Sequence, residues 1–259
     1  MTEDLLYESH GGIGRITLNR PDARNALTFA MYERLAELCA GIGADPAMRA
    51  LVITGAGEKA FAAGTDINQF RTFATADEAI AYEARIDRVL GALEKCRVPI
   101  VAAIAGACTG GGAAIAAACD IRLAAANARF GFPIARTLGN CLSMSNYARL
   151  AALIGAARTK EVIFTARLVE AEEAQRIGLV SEVLPDHAAL MARAGELAAL
   201  LATHAPLTLR ATKEALRRLR EAAPLPDDED LILLCYMSGD FKEGMDAFLN
   251  KRPPAWSGT

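Results

Sequence analysis

Histidine is scarce in this chain: three in 259 residues, and none near a suitable partner. His10 stands in an early turn, and His187 and His204 stand in a late helical stretch, which speaks against a catalytic triad built on imidazole. The six cysteines (Cys39, Cys96, Cys108, Cys119, Cys141 and Cys235) form no CxxC pair and have no histidine at ligand spacing. No metal site is therefore expected, and they read as small buried hydrophobes of a reducing compartment. The charge signs are nearly balanced, with 28 Lys and Arg against 31 Asp and Glu, so nothing in the charge balance calls for nucleic acid. The one basic cluster, "RRLR" at 217–220, shares its helical pattern with Glu214 and Glu221 and reads as a solvated face. The opening "MTEDLLYESH" lacks the basic n-region of a signal peptide, and a cytoplasmic location is expected. Residues 98–119 carry no charge and are numerous enough to span a bilayer. Pro99, Gly106 and the triplet Gly110, Gly111, Gly112 interrupt them, so a buried strand followed by a buried helix is expected, and no membrane partner.

What is present is an alternation of short β-rich and helical runs. Residues 5–9 and 13–19 read as strands around the turn signal "HGG", and Thr28 reads as the N-cap of a helix to about residue 42, with Met31, Leu35 and Leu38 at helical spacing. "ALVITGAG" (50–57) and "VPIVAAIAG" (98–106) read as buried strands. "AFAAGTDINQF" (60–70) reads as a loop leading to a short helix, and 77–96 as a longer helix. "DIRLAAANARFGFP" (120–133) supplies two more short strands; beyond residue 134 only "LVSEVLP" (179–185) interrupts a helical pattern. Pro224 and Pro226 mark a helix break near the C-terminus. This density of alternation predicts an α/β layered fold, with no linker or low-complexity segment dividing it.

Two stretches are made for close approach of backbone to a ligand. In "GACTGGGAAIAAACD" (106–120) a buried strand runs into glycines and then a helix. The first turn of a helix has N–H groups without intrahelical partners, and residues without Cβ let a ligand reach them. "FAAGTD" (61–66) is a second such loop, small throughout, before Asp66, a good N-cap. Two such loops facing one another would offer two N–H donors to one carbonyl oxygen. The triplet lacks the lysine of a P-loop and the spacing of a dinucleotide fingerprint, and close packing of helix on strand is an alternative reason for its glycines.

Taken together, "LNRPDARNAL" (18–27), "KAFAAGTDI" (59–67), the run from residue 99 to 124, "ARFGFP" (128–133), "EAEEAQRIGLVSEVLP" (170–185) and the terminal "EGMDAFLNKRPPAW" resemble the crotonase, or enoyl-CoA hydratase/isomerase, superfamily, in order and over nearly the whole chain. The resemblance implies a ClpP-like spiral of ββα units over residues 1–200, and a helical region over 201–259 used in forming a homotrimer or a dimer of trimers. It also implies an acyl-CoA thioester as substrate, with coenzyme A as part of that substrate and no prosthetic group. By motif position it assigns the N–H groups of Ala63 and Gly111 to an oxyanion hole. Ala62, Gly64, Thr65, Asp66 and Ile67 would hold adenine and pantetheine, Arg24 and Ala26 would lie along the CoA, and Phe248 and Lys251 would reach the CoA of a neighbouring subunit.

The chain departs from that pattern where the chemistry is done. Hydratases of this kind resemble one another in two glutamates, one three residues beyond the oxyanion-hole glycine and one directly after "FG-x-P"; here these positions are Ala114 and Ile134. One carboxylate activates water and the other handles the proton at the α-carbon, so ordinary hydration loses both groups. Asp66 and, in the polar stretch after Ile134, Arg136, Asn140, Ser143, Ser145 and Tyr147 are the candidate substitutes, with Cys141 a possible thiol. Two readings stand: a lyase or isomerase that stabilises a thioester enolate, or a non-catalytic acyl-CoA-binding or assembly subunit.

Overall fold

The chain builds its main sheet from an antiparallel edge and then adds only parallel strands. In the computed structural model, which describes residues 3–71, 75–222 and 228–258, β1 (Leu5–His10) and β2 (Ile13–Leu18) pair antiparallel across a two-glycine turn with φ of 57° and 79° at Gly11 and Gly12. To β2 are added in parallel β3 (Ala50–Gly55), β5 (Ile100–Ile104), β7 (Ile121–Ala125) and β10 (Glu182–Leu184). Every residue of β3 and β5 is buried, which is why both read as unbroken apolar runs instead of alternating ones. A second sheet is formed by β4 (Ala60–Ala62), β6 (Ala107–Thr109), β8 (Arg129–Gly131) and β9 (Val169–Glu170).

Each winding of the chain thus gives one strand to each sheet and then a helix. β3 and β4 precede α2 (Ala76–Lys95), β5 and β6 precede α3 (Gly111–Ala118), and β7 and β8 precede α4 (Ile134–Thr137) and α5 (Met144–Thr165). The helix α1 (Phe29–Ala44) begins where Thr28 accepts a hydrogen bond from the Met31 N–H, and α2 begins with a capping box between Thr75 and Glu78. One core lies where α1, α2 and α3 meet the sheets; a smaller one lies between the main sheet and α7 (His187–Thr203), where Leu190, Ala194 and Ala198 meet Val52, Val101 and Leu123. After α6 (Ala171–Arg176) and α7, the chain forms α8 (Pro206–Arg220), α9 (Glu229–Tyr236) and α10 (Gly239–Leu249), and α8 and α9 pack back on α2.

The spiral of ββα units is what the resemblance implied. Three strands, β4, β6 and β9, were not legible: with three, three and two residues they carry no measurable period, so residues 60–62 read as loop, and the glycine motif that reads as following β5 directly is separated from it by β6. The uncharged run 98–119 divides into β5, β6 and α3, and no helix among the described residues is long and apolar enough to cross a membrane. All six cysteines are free thiols, five of them buried. The break at Pro224 and Pro226 lies outside the described residues.

Candidate functional site

The site begins at the loop between β2 and α1. Arg24 and Asn25 both adopt left-handed backbone (φ 51° and 55°), a conformation asparagine tolerates better than most residues. Asn25 is fully buried; its amide donates to the carbonyls of Ala56 (3.1 Å) and Ala60 (2.7 Å), while its Oδ1 accepts from the Arg20 N–H (3.0 Å). This staple holds the loop against β4. The Leu27 N–H donates to Gly64 O and the Asp66 N–H to Leu27 O, both at 2.8 Å, so "RPDARNAL" and "FAAGTD" lie side by side. Replacing Asn25 by Ala takes the side-chain partner from one buried and two partly buried backbone groups in left-handed backbone, and should lower stability by about 2–4 kcal/mol in urea unfolding.

The same pairing corrects one assignment. The N–H of Ala63, expected as an oxyanion donor, donates to the Arg24 carbonyl at 3.0 Å and is therefore engaged. Two residues on, the Thr65 N–H has no acceptor among the described residues, and neither has the Gly111 N–H in the first turn of α3. These two positions adjoin: a Cβ built on Gly111 would stand 3.2 Å from Thr65 Oγ1. The same Cβ would lie 1.9 Å from the Tyr32 hydroxyl, and one on Gly112 only 2.3 Å from Ala62 O, so close packing is one reason for the glycines. They admit the close packing of α3 against α1 and β4, and that packing leaves the amide of Gly111 unspent. Gly110 (φ 51°, ψ −120°) makes the turn and donates to Gly131 O at 3.0 Å, fixing the start of α3 to β8.

Side chains around this pair form a buried hydroxyl chain. Thr65 Oγ1 is hydrogen-bonded to the hydroxyls of Tyr32 and Tyr82, each at 2.9 Å, and burial pushes both phenols above their usual pKa, so they stay neutral. Asp66 caps the 3₁₀ turn Ile67–Phe70 by accepting from the Asn68 N–H, and pairs with Arg20 at 3.0 Å. Burial raises its pKa, but the Asn68 and Arg20 hydrogen bonds outweigh that and hold the carboxyl below the usual range. Asp66 is thus a capped, ion-paired carboxylate, as its N-cap reading predicts, and not a free acid or base. Ala62 is buried, Gly64 has φ 99°, and Ile67 packs half-buried on the core. Phe248 and Lys251 are exposed at the end of α10, and no described hydrogen bond joins them to the 62–67 segment.

No acid stands at the two family positions: Ala114 and Ile134 are 3% and 7% exposed members of the main core. Of the expected substitutes, Arg136 is exposed on α4. Asn140, Ser143 and Tyr147 are brought together. Ser143 Oγ donates to Asp87 (2.8 Å) and caps α5. The Tyr147 hydroxyl accepts from the Leu142 N–H (3.4 Å), and its pKa is raised by burial. Asn140 donates to the Tyr236 hydroxyl at 3.2 Å, while its Oδ1 is buried without a partner. Cys141 is buried, its sulfur 3.5 Å from Leu231 O.

Sequence reasoning missed the residue at the centre of this group. Glu83 on α2 is 3% exposed; it accepts from the Tyr236 hydroxyl at 2.6 Å and from the Ser143 N–H at 3.2 Å. It has no cationic partner among the described residues. Burial pushes its pKa up to about 7 against the Tyr236 hydrogen bond, with Asp87 adding repulsion. A signal existed: Glu83 lies on the buried stripe Ala79, Tyr82, Ile86, Val89, Leu90, Leu93, where an unmatched carboxylate is out of place. Glu94, on the same stripe, is matched by Arg149 and Arg220.

The chain has extensive relatives. The sequence profile of the enoyl-CoA hydratase/isomerase family matches residues 8–259. A short-chain-enoyl-CoA hydratase of Clostridium acetobutylicum is 35% identical over 252 residues, covering 96% of this chain and 95% of its own. The crystal structure of an enoyl-CoA hydratase/carnithine racemase from Magnetospirillum magneticum superposes with a TM-score of 0.81 at 34% identity, over 100% of this chain and 97% of that one. A methylmalonyl-CoA decarboxylase in complex with 2-nitronate-propionyl-CoA gives a TM-score of 0.90 at 26% identity, with both chains fully covered. The paired backbone loops, the double-sheet spiral and these likenesses agree: the chain belongs to the enoyl-CoA hydratase/isomerase family.

Proposed function

We propose that this protein is an acyl-CoA enzyme of the lyase or isomerase kind that stabilises a thioester enolate between the N–H groups of Thr65 and Gly111. The observation that carries the reading is the pair of unspent amides on adjoining residues, one of them at a helix start where the dipole favours negative charge. Decarboxylation of a malonyl-type thioester asks least of the protein, since the departing CO₂ leaves its electron pair on the carbonyl held by the two amides. The likeness to a methylmalonyl-CoA decarboxylase supports that reaction, and the absence of acids at 114 and 134 disfavours hydration.

The test is a panel of acyl-CoA thioesters in D₂O, followed by mass spectrometry and thermal shift. Loss of CO₂ or deuterium at the α-carbon supports the enzyme; stabilisation by CoA ligands without turnover supports the acyl-CoA-binding subunit. If no thioester raises the melting temperature, both readings fail. The two donors are checked separately by amide NMR during titration with a CoA thioester. The Thr65 and Gly111 resonances should shift most and Ala63 little; the reverse ranking removes Thr65 from the hole.

A homotrimer or dimer of trimers fits the exposed leucines of α8, where Leu207, Leu216 and Leu219 are 75%, 63% and 72% exposed. Light scattering on the purified chain should give a mass of three or six subunits, and a monomer would contradict the assembly reading.

A further inference from the structure

A cleft of about 280 Å³ opens between α2, α9 and α10, walled by Phe70, Ala79, Tyr236, Phe241 and Met245. Phe70 ends the 3₁₀ turn that begins after Asp66. Its ring packs edge-on against Tyr82 (4.9 Å between centroids), whose hydroxyl holds Thr65. Tyr82 in turn lies 6.1 Å from the Tyr236 ring. An aromatic wall therefore runs from the Thr65 hydroxyl through Tyr82 to Tyr236, which lines the cleft, and behind Tyr236 stands Glu83.

Resting on the enolate reading, we propose that Tyr236 and Glu83 form the acid/base pair of this site, in place of the family's two glutamates. The Tyr236 hydroxyl is the catalytic group, placed between the cleft and the carboxylate. Its oxygen takes the proton from the α-carbon of the thioester while its own proton passes to Glu83 Oε1. The electron pair of the broken C–H bond goes to the thioester oxygen held by Thr65 and Gly111. The reverse transfer returns a proton to carbon, so one proton leaves and one arrives and no co-reactant is consumed. Asn140, donating to the Tyr236 oxygen, holds the hydroxyl so that its hydrogen points at Glu83.

The groups facing Glu83 leave it as the one carboxyl here poised for this task. On its own helix stand Tyr82 and Asp87; the segment before and into α5 contributes Cys141, Ser143 and Tyr147; α9 and its approach contribute Asp228, Cys235 and Tyr236; α1 contributes Tyr32. Asp87 is held by Ser143 and has Arg149 at 3.7 Å, while Arg149 is committed to Glu94.

The experiment is deuterium exchange at the α-carbon of butyryl-CoA in D₂O. In the unmodified protein the rate should rise with pH through about 7 and then level, because the carboxylate is the working form. Glu83→Gln and Tyr236→Phe should each slow exchange by about 10²-fold or more, with thermal stabilisation by butyryl-CoA retained and, in Glu83→Gln, the break near 7 gone. Exchange within about threefold of the unmodified rate in either variant overturns the pair, as does an unmoved break in Glu83→Gln. If Glu83→Gln does not fold, Tyr236→Phe decides alone by the same criterion. An unmodified protein that binds butyryl-CoA but exchanges nothing overturns the pair while leaving decarboxylation open; loss of CO₂ from a malonyl-type thioester then tests the enolate reading separately.

Discussion

Crotonyl-CoA offered to the unmodified protein should be hydrated no faster than in buffer. Hydration needs one group to activate water and another to place the proton on the α-carbon, and each is worth about 10²–10⁴ in rate. At the corresponding positions this chain buries a methyl group, Ala114, and a butyl group, Ile134, inside its main core. Without both, the rate should fall about 10⁴-fold or more below that of a hydratase that has them. The Tyr236 and Glu83 pair does not repair this, because one relay moves one proton at a time and supplies no second group to activate water. The measurement is loss of the enoyl absorbance under saturating crotonyl-CoA. Turnover at ordinary hydratase rates would mean that water is activated by a residue outside the group around Glu83.

The second large effect concerns stability. Glu94 accepts two hydrogen bonds from Arg149 (2.8 and 3.1 Å) and two from Arg220 (2.5 and 2.7 Å), joining α2, α5 and α8. Glu94→Ala would leave the buried Arg149 guanidinium with Asp87 at 3.7 Å as its nearest carboxylate. Removing one partner of a buried ion pair costs about 3–5 kcal/mol, because the remaining charge stays desolvated. For a domain of this size the melting temperature should drop by roughly 10 °C. The triple change Glu94→Leu, Arg149→Met, Arg220→Met should recover most of the loss, which separates a desolvated charge from a packing defect. The pH dependence has a definite sign. Burial raises the pKa of Glu94, but the two arginines outweigh it and hold the carboxyl below its ordinary value. Its contribution is therefore complete above the ordinary carboxylate range and is lost as pH falls through the lowered folded value. The Glu94→Ala variant should show a flatter acid limb than the unmodified protein; equal limbs would remove Glu94 from the acid response.

The legible parts of this molecule are those decided by neighbours in sequence. Thr28 caps α1 and Asp66 caps the 3₁₀ turn beside it, and β3 and β5 declare their burial by unbroken apolar runs. The motif loops could be placed at the site, and Gly111 at the start of α3, because a strand, a glycine turn and a helix are local. Which amide of "FAAGTD" remains unspent could not be read, because it depends on the Arg24 carbonyl delivered by another loop in left-handed backbone. Motif position alone therefore chose Ala63, two residues from the free donor. The role of Glu83 was hidden for a similar reason: Tyr236 and Ser143, which define it, come from α9 and from the entry to α5.

The two donors at Thr65 and Gly111 belong to the main chain, and this bears on how such a site can change. A side-chain acid is lost by replacing one residue, whereas a main-chain amide is removed outright only by proline, and the Gly111 amide is further guarded by packing that leaves no room for a Cβ beside the Tyr32 hydroxyl. In the proposed enolate site the oxygen-binding half therefore comes with the fold, and the proton-handling half is the part that side-chain replacement can remove and another helix can supply.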